Sequence, residues 1–433
     1  VHYHPPHVTM ADPKTMFNKK SISDVDVKGK RVLMRVDFNV PQDKQGNITN
    51  NQRINGAIPT IKLALDNGAK AVILMSHLGR PDGRANPKFS LKPIADKLGE
   101  LMGKPVTFLS DCVGAEVEAA CANPADGSII VLENVRFHVE EEGKGVDEDG
   151  KPFKATEEEV TKFRESLAKN GDVFVSDAFG TAHRAHSSLV GCKGKMPCVS
   201  GLLVLKELDA FSQIMDPEKV ERPLLAIVGG AKISDKILVI ENLIEKSDGI
   251  IACGGMAYTF LKVCYGMEIG KSLFDKKGAD LAPKLLEKAK AKGIDITLPC
   301  DWACGQEFKN DQEIKMVTQK EGIPEGWEGM DCGPESMALF REKILAAKTV
   351  VWNGPAGVFE FDNFSKGTKA VLDAVAETTS KGNKGIIGGG DSATAAAKFD
   401  MEKQVTFVST GGGASLELLE GKVLPGIAAL DDK

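Results

Sequence analysis

Short apolar runs rich in β-branched residues recur along this chain, and each is separated from the next by a longer stretch with helical periodicity. That alternation belongs to parallel strands joined by helices, because a parallel pair needs a crossover and the crossover helix covers a sheet face. The runs place strands at 32–36, 71–75, 106–109, 129–132 and 173–175 in the first half. In the second half they fall at 224–228, 250–252, 350–352, 385–387 and 405–408. A chain of 433 residues exceeds what one core fills comfortably. Two doubly wound parallel sheets are therefore expected.

The N-terminus, through Met10, has neither the apolar core of a signal peptide nor an Arg-rich transit pattern, so 1–14 is expected to be a disordered leader. A first domain is expected over 15–201. Within it the charged, glycine-containing segment 144–159 reads as a surface excursion. Gly194, Pro197 and Gly201 interrupt the pattern near 193–200, ahead of an apolar helix that makes 202–218 a candidate inter-domain hinge. A second domain follows over 219–420, and 421–433 is expected to pack back on the first. No residue-level internal repeat joins the two halves.

Composition narrows the function. No run approaches the roughly 18 apolar residues of a membrane-spanning helix. A net charge of -6 argues against wholesale nucleic-acid binding while leaving room for a local basic cleft. The nine cysteines are odd in number and contain no C-x-x-C, which fits reduced thiols in a cytoplasmic protein. Cys300 and Cys304 have metal-like spacing, but no second Cys or His pair follows to complete a zinc site.

Polar and cationic residues follow directly after the strand-like runs of the first half, where open parallel sheets bind ligands. Asp37 and Asn39 follow the first run, Ser76, His77 and Arg80 the second, Arg136 and His138 the fourth, and Thr181, His183 and Arg184 the fifth. With Arg53 these are several guanidinium groups, whose forked donors match carboxylate and phosphate oxygens. Any single one is better explained by a surface ion pair or a satisfied core hydrogen bond; their recurrence at strand ends favours a small ligand carrying both anionic groups.

The second half has glycine turns at the corresponding places: Gly229-Gly230-Ala231-Lys232 ahead of Lys236, Asn353-Gly354-Pro355-Ala356-Gly357, Gly388-Gly389-Gly390-Asp391-Ser392 and Gly411-Gly412-Gly413. Glycine lets backbone N–H groups approach phosphate oxygens, and each following helix start favours negative charge. A nucleotide cleft is expected. Gly266 to Ser272 resembles a P-loop but is one residue short, with no clean strand before it. Gly388-x-Gly390-x-x-Ala393 fits a dinucleotide fingerprint, yet no acid for a ribose stands about twenty residues on. The chain has no H-R-D-L, D-F-G, G-x-S-x-G or H-E-x-x-H.

Several stretches, in order, resemble the phosphoglycerate kinase family from about Lys28 to the C-terminus. They are Arg35-Val36-Asp37-Phe38-Asn39-Val40-Pro41, Ser76-His77-Leu78-Gly79-Arg80-Pro81, Leu132-Glu133-Asn134-Val135-Arg136-Phe137, and Asp177-Ala178-Phe179-Gly180-Thr181-Ala182-His183-Arg184. To these the second half adds Gly229-Gly230-Ala231-Lys232, Trp352-Asn353-Gly354-Pro355, Gly388-Gly389-Gly390-Asp391 and Ser409-Thr410-Gly411-Gly412-Gly413.

The resemblance implies two Rossmann-like domains joined by a helical hinge, and Mg2+-dependent transfer between 1,3-bisphosphoglycerate plus ADP and 3-phosphoglycerate plus ATP. It implies that Asp37, Phe38, Asn39, Gln52, Arg53, Ser76, His77, Gly79, Arg80, Arg136, His183 and Arg184 hold the glycerate. Gly230, Ala231, Lys232, Lys236, Gly254, Gly329, Asn353, Gly354, Pro355, Val358, Glu360, Gly389, Gly390, Asp391 and Ser392 would surround the nucleotide, with Asp391 toward the metal. Ser392 stands where many relatives have threonine. Arg53, Lys232 and Lys236 are expected to be catalytic, and the family suggests a monomer. The alternatives are an NAD-dependent dehydrogenase built on the Gly388 turn and a non-catalytic nucleotide-binding protein.

Overall fold

The computed structural model describes residues 13–147 and 149–433. Residues 1–12 of the expected leader lie outside the described residues, while 13 and 14 open a short helix, Pro13–Phe17. The chain forms two compact units, one of Lys14–Asp209 with Val423–Lys433 and the other of Ala210–Lys422.

The first unit contains strands β1 Arg31–Val36, β2 Ala71–Met75, β3 Val106–Phe108, β4 Ser128–Val131, β5 Lys144–Val146, β6 Pro152–Lys154, β7 Val173–Asp177 and β8 Cys198–Ser200. Six of them make a parallel sheet in the order β3-β4-β2-β1-β7-β8. In the centre Leu33 pairs with Ile73 on one side and Phe174 on the other. Alternate residues Val32, Met34 and Val36 of β1 pack with Ile54 and Ile61 of the helix Gln52–Asp66 and with Ile94 and Leu98 of the helix Lys92–Met102. Each such buried side chain contributes roughly 1.5–3 kcal/mol. Burial on both faces explains why these strands read as unbroken apolar runs. The charged excursion is an exposed antiparallel hairpin, β5 with β6, followed by a helix, Glu157–Lys169, whose start Thr156 caps. Residues 423–433 lie along the edge strand β8: Asp431 N–H donates to Cys198 O at 2.8 Å and Lys19 Nζ reaches Asp432 Oδ1 at 2.6 Å.

The second unit contains β9 Leu224–Val228, β10 Gly249–Ala252, β11 Asp295–Thr297, β12 Asp301–Gly305, β13 Lys315–Thr318, β14 Glu328–Cys332, β15 Thr349–Asn353, β16 Lys384–Ile387 and β17 Phe407–Val408. Its parallel sheet runs β11-β10-β9-β15-β16-β17, and a separate antiparallel sheet runs β13-β12-β14. Tyr258, Leu261, Trp302 and Val317 fill a small core under the second of these.

In each parallel sheet the connections leave in opposite directions from two adjacent strands, β1 and β7 in one and β9 and β15 in the other. The crevice at the carboxyl ends of such a pair is where open α/β sheets take ligands. The helix Leu202–Met215 contains the division of the chain, with 202–209 in the first unit and 210–215 in the second. Among the described residues no helix is long and apolar enough to cross a membrane.

Candidate active site

The first unit gathers its polar residues at the ends of β1, β2 and β7. Asp37, one residue past β1, accepts Arg53 Nη1 at 2.9 and 2.8 Å on its two oxygens, and Arg53 is 44% exposed at the start of its helix. Its neighbour Gln52 is exposed and anchored through its own N–H to Asn50 Oδ1. Phe38 is buried and donates its N–H to Ser76 Oγ at 2.8 Å; Asn39 Oδ1 accepts the Gly79 N–H at 2.9 Å. Arg136 joins the same loop, with Nη1 on Gly79 O at 2.9 Å and Nε on Glu142 at 2.9 Å.

Beneath this surface His77 is buried, and its Nδ1 lies 3.2 Å from Nη2 of the fully buried Arg35. A guanidinium has only donors, so Nδ1 accepts and Nε2 carries the proton. Burial, then the charges of Arg35, Arg136 and Arg53, hold the His77 pKa well below its usual value, so the ring is neutral. His186 is pushed down to about 3 by burial, with further contributions from Arg136, Arg35 and Arg184. Arg35, Arg53, Arg136 and Arg184 thus contribute to a common positive field. Arg80 and Arg184 are exposed and His183 is half-buried beside Arg184.

Arg35, His186 and the acids Glu141 and Glu142 join this cluster although the sequence does not single them out as site residues. Glu141 is buried, accepts the Ser188 N–H and hydroxyl at 2.8 and 2.6 Å, and offsets Arg35, which itself donates to Ser188 Oγ. The signal for Arg35 was present, as a cation inside an apolar strand; the glutamates had none beyond belonging to an acidic run.

The second unit brings four turns together through its backbone. The Gly229 N–H donates to Asn353 O at 2.9 Å, and a Cβ at Gly229 would stand 2.1 Å from Pro355 O. Gly354, at φ +100°, meets Gly229 O just as closely. No L side chain fits either place. Gly254 packs on Gly230 and Pro355, and the Asn353 side chain donates to Gly388 O at 3.0 Å, beside Gly389. Lys236 Nζ binds Asn353 O at 3.1 Å and also Asn353 Oδ1. Burial lowers its pKa to about 8, against opposing pulls from Cys253, Asp391 and Asp235.

Ala231 and Lys232 are exposed just beyond this junction. Gly390 and Asp391 open the helix Gly390–Lys398, while Ser392 is buried with its hydroxyl accepting the Gly354 N–H at 2.6 Å. Val358 donates its N–H to Met330 O at 2.8 Å, Gly329 donates to Ser272 Oγ at 2.9 Å, and Glu360 has an exposed side chain. Leu273 was missed: it is 53% exposed, with Cδ1 2.8 Å from the position a Cβ would take on Gly255.

For a metal, Asp391 offers an exposed carboxylate without a protein partner among the described residues, the hard oxygen that magnesium prefers. Cys300 and Cys304 do not assemble with further ligands among the described residues. The Gly388 turn precedes a helix, but it follows β16 instead of β9, one strand away from the crevice, so the dinucleotide fingerprint stands in the wrong place.

Guanidinium groups at one switch point, and glycine turns with lysines at the other, define a nucleotide-dependent phosphotransferase built on two Rossmann-like units. The family model for phosphoglycerate kinase matches residues 22–422, and the chain belongs to that family. It is 59% identical over 419 residues to phosphoglycerate kinase of Hypocrea rufa, covering 97% of this chain and 100% of that protein. It is also 59% identical over 413 residues to a probable phosphoglycerate kinase of Caenorhabditis elegans, covering 95% of this chain and 98% of that protein. The solved structure of phosphoglycerate kinase from Coxiella burnetii matches with a TM-score of 0.83 at 38% identity, covering 95% of this chain and 98% of that one. None of these comparisons supports a dehydrogenase.

Proposed function

We propose that the chain catalyses reversible phosphoryl transfer between 1,3-bisphosphoglycerate plus ADP and 3-phosphoglycerate plus ATP. The observation that carries this reading is the division of chemistry between strand ends: guanidinium and imidazole groups on the first unit, glycine turns and lysines on the second. The first suits a glycerate bearing carboxylate and phosphate; the second suits a polyphosphate, with exposed Leu273 offering an apolar face to a base.

In the ATP-consuming direction a carboxylate oxygen of 3-phosphoglycerate attacks the γ-phosphorus, and the bond from phosphorus to the ADP oxygen breaks. The nucleophile is already ionised near pH 7, so no general base is required. His77 is consistent with that: neutral, with Nδ1 occupied, it is a hydrogen-bond donor through Nε2. Catalysis reduces to placement and charge neutralisation. Arg53 and Lys232 stabilise the transferring group, and Lys236, still mainly protonated near pH 7, is held more firmly in its charged form by the phosphates. Magnesium, held by nucleotide phosphates and Asp391, would neutralise phosphate charge.

Closure about the helix Leu202–Met215 brings the two substrates together and excludes the water that would hydrolyse an acyl phosphate. A cytoplasmic monomer that needs neither nucleic acid nor membrane completes the proposal. The test is magnesium-dependent ATP consumption with 3-phosphoglycerate, coupled through glyceraldehyde-3-phosphate dehydrogenase to NADH oxidation. Turnover requiring both substrates is expected; a folded, ADP-binding sample without turnover would favour a non-catalytic nucleotide-binding protein.

A further inference from the structure

We infer that Thr60 and Asp177 are positioning residues that clasp the first turn of the connector helix to the helix carrying Arg53, so that movement of one is passed to the other. This rests on the closure described above. All of the contacts lie inside the first unit.

Asp177 is the last residue of β7 and pairs in register with Val36, the last residue of β1. The two adjacent strand ends therefore each send an aspartate to the same helix, Gln52–Asp66. Asp37 takes Arg53, and Asp177 Oδ2 takes the Thr60 hydroxyl at 2.6 Å. Arg53 and Thr60 are seven residues apart, two turns along one helix face, so the helix is held at two points on one side. Thr60 and Asp177 are both buried.

The second point is shared with the connector helix. Thr60 Oγ1 accepts the Leu202 N–H at 3.0 Å, while Asp177 Oδ1 accepts the Leu203 and Val204 N–H groups at 2.9 and 3.3 Å. These are the otherwise unpaired donors of the first turn of Leu202–Met215, which the carboxylate satisfies. The approach is too close for any side chain at Gly201, where a Cβ would stand 2.3 Å from Asp177 Oδ1, and Leu203 packs on Gly56 of the Arg53 helix. Burial lifts the Asp177 carboxyl to about 6, opposed by Thr60, by the helix N–H groups and by the charge of Lys206, so it is mainly the anion near pH 7.

One hydroxyl thus joins strand end, Arg53 helix and connector helix. A tilt of the connector reaches Arg53 through hydrogen bonds of fixed length, with no ligand needed in the path.

The experiment is Thr60→Val, which keeps the volume and removes the hydroxyl, with Thr60→Ser as the conservative rescue. Turnover is measured with saturating substrates, dissociation constants for ADP and 3-phosphoglycerate separately, and compaction by small-angle scattering with both substrates. The expected result is a fall of about 10-fold in kcat for Thr60→Val, with both dissociation constants within about 2-fold of native, and restoration by Thr60→Ser to within about 2-fold. A folded Thr60→Val enzyme with native kcat overturns the clasp, as does failure of serine to restore it. If Thr60→Val does not fold, Asp177→Asn carries the same measurements. A native enzyme that does not contract with both substrates removes closure and clasp together; contraction with unaltered Thr60→Val turnover removes the clasp alone.

Discussion

Under the proposed function the two switch points solve the same problem, the capture of an anion, with different materials. At the ends of β1 and β7 the donors are side chains, and their accumulated charge has to be managed inside the fold. Burial and neighbouring arginines keep His77 neutral, and the buried Glu141 compensates Arg35. At the ends of β9 and β15 the donors are backbone groups, and the constraint is space: Gly229 and Gly354 touch so closely that neither can carry a side chain. The first region is consequently vulnerable to loss of charge and the second to gain of volume.

The largest effect that would break this contrast is in the first region. Arg53→Ala is expected to lower kcat by about 10^3-fold while leaving ADP affinity unchanged, as read by the coupled assay and calorimetry. Near-native turnover would remove Arg53 from the transferring group. Lys232→Ala should lower kcat by about 10^2-fold at the same step, with 3-phosphoglycerate affinity intact. Next comes added volume. Gly229→Ala is expected to weaken ADP binding by at least about 10-fold, since the new methyl meets Pro355 O, and to leave 3-phosphoglycerate binding as it was. Equal losses for both ligands would erase the distinction between the regions.

Titration sharpens the comparison at smaller scale. Lys236 loses its proton in the free folded protein as pH rises through about 8, whereas the unfolded chain keeps it to the ordinary lysine value of 10.5. Between those values the unfolded state holds more protons, so this group makes the fold more stable with rising pH. ADP affinity should instead fall severalfold, about 3- to 10-fold, from pH 7 to pH 9, because a neutral lysine attracts phosphate less. The slope should flatten in Lys236→Met; an unchanged slope would place the titration elsewhere.

The smallest effect concerns Asp331, which burial lifts to about 7 despite N–H donors from Gly367 and Cys332. The folded state keeps a proton that the unfolded chain gives up near 3.8, so the stability this proton contributes in acid is lost as pH rises through about 7. Asp177 behaves the same way with its window ending at about 6. Carboxyl carbon shifts should show both midpoints; a midpoint near 4 for Asp331 would mean its site is wetter than its packing indicates.

All ten apolar runs contain strands; the central ones read as apolar because they are buried on both faces, whereas the edge strands Val106–Phe108 and Phe407–Val408 are only partly buried and the latter fills half of its run. What escaped notice lacked that signature. The antiparallel strands Asp301–Gly305, Lys315–Thr318 and Glu328–Cys332 carry charges and small residues that break the apolar pattern: Asp301 and Asp331 are buried, and only Lys315–Thr318 has strongly exposed positions. Cys198–Ser200 is three residues after a proline and resembled a break, yet it is an edge strand covered by 423–433. Arg136 and the glycine turns are visible as residue types at strand ends, and Arg53 as a further arginine outside them. Glu141 is not, because its role depends on Arg35, more than a hundred residues away.

The sequence by itself determined the parallel sheets and the placement of cations and glycines after strands, and through the family resemblance the chemistry. Only the tertiary structure decided the protonation of His77 and Lys236, the contact of Gly229 with Gly354, and the sharing of Thr60 between two helices. Strand identity is a local property of side chains that must be buried. A pKa, a steric limit or a shared hydrogen bond depends on which distant residues the fold brings within a few ångströms.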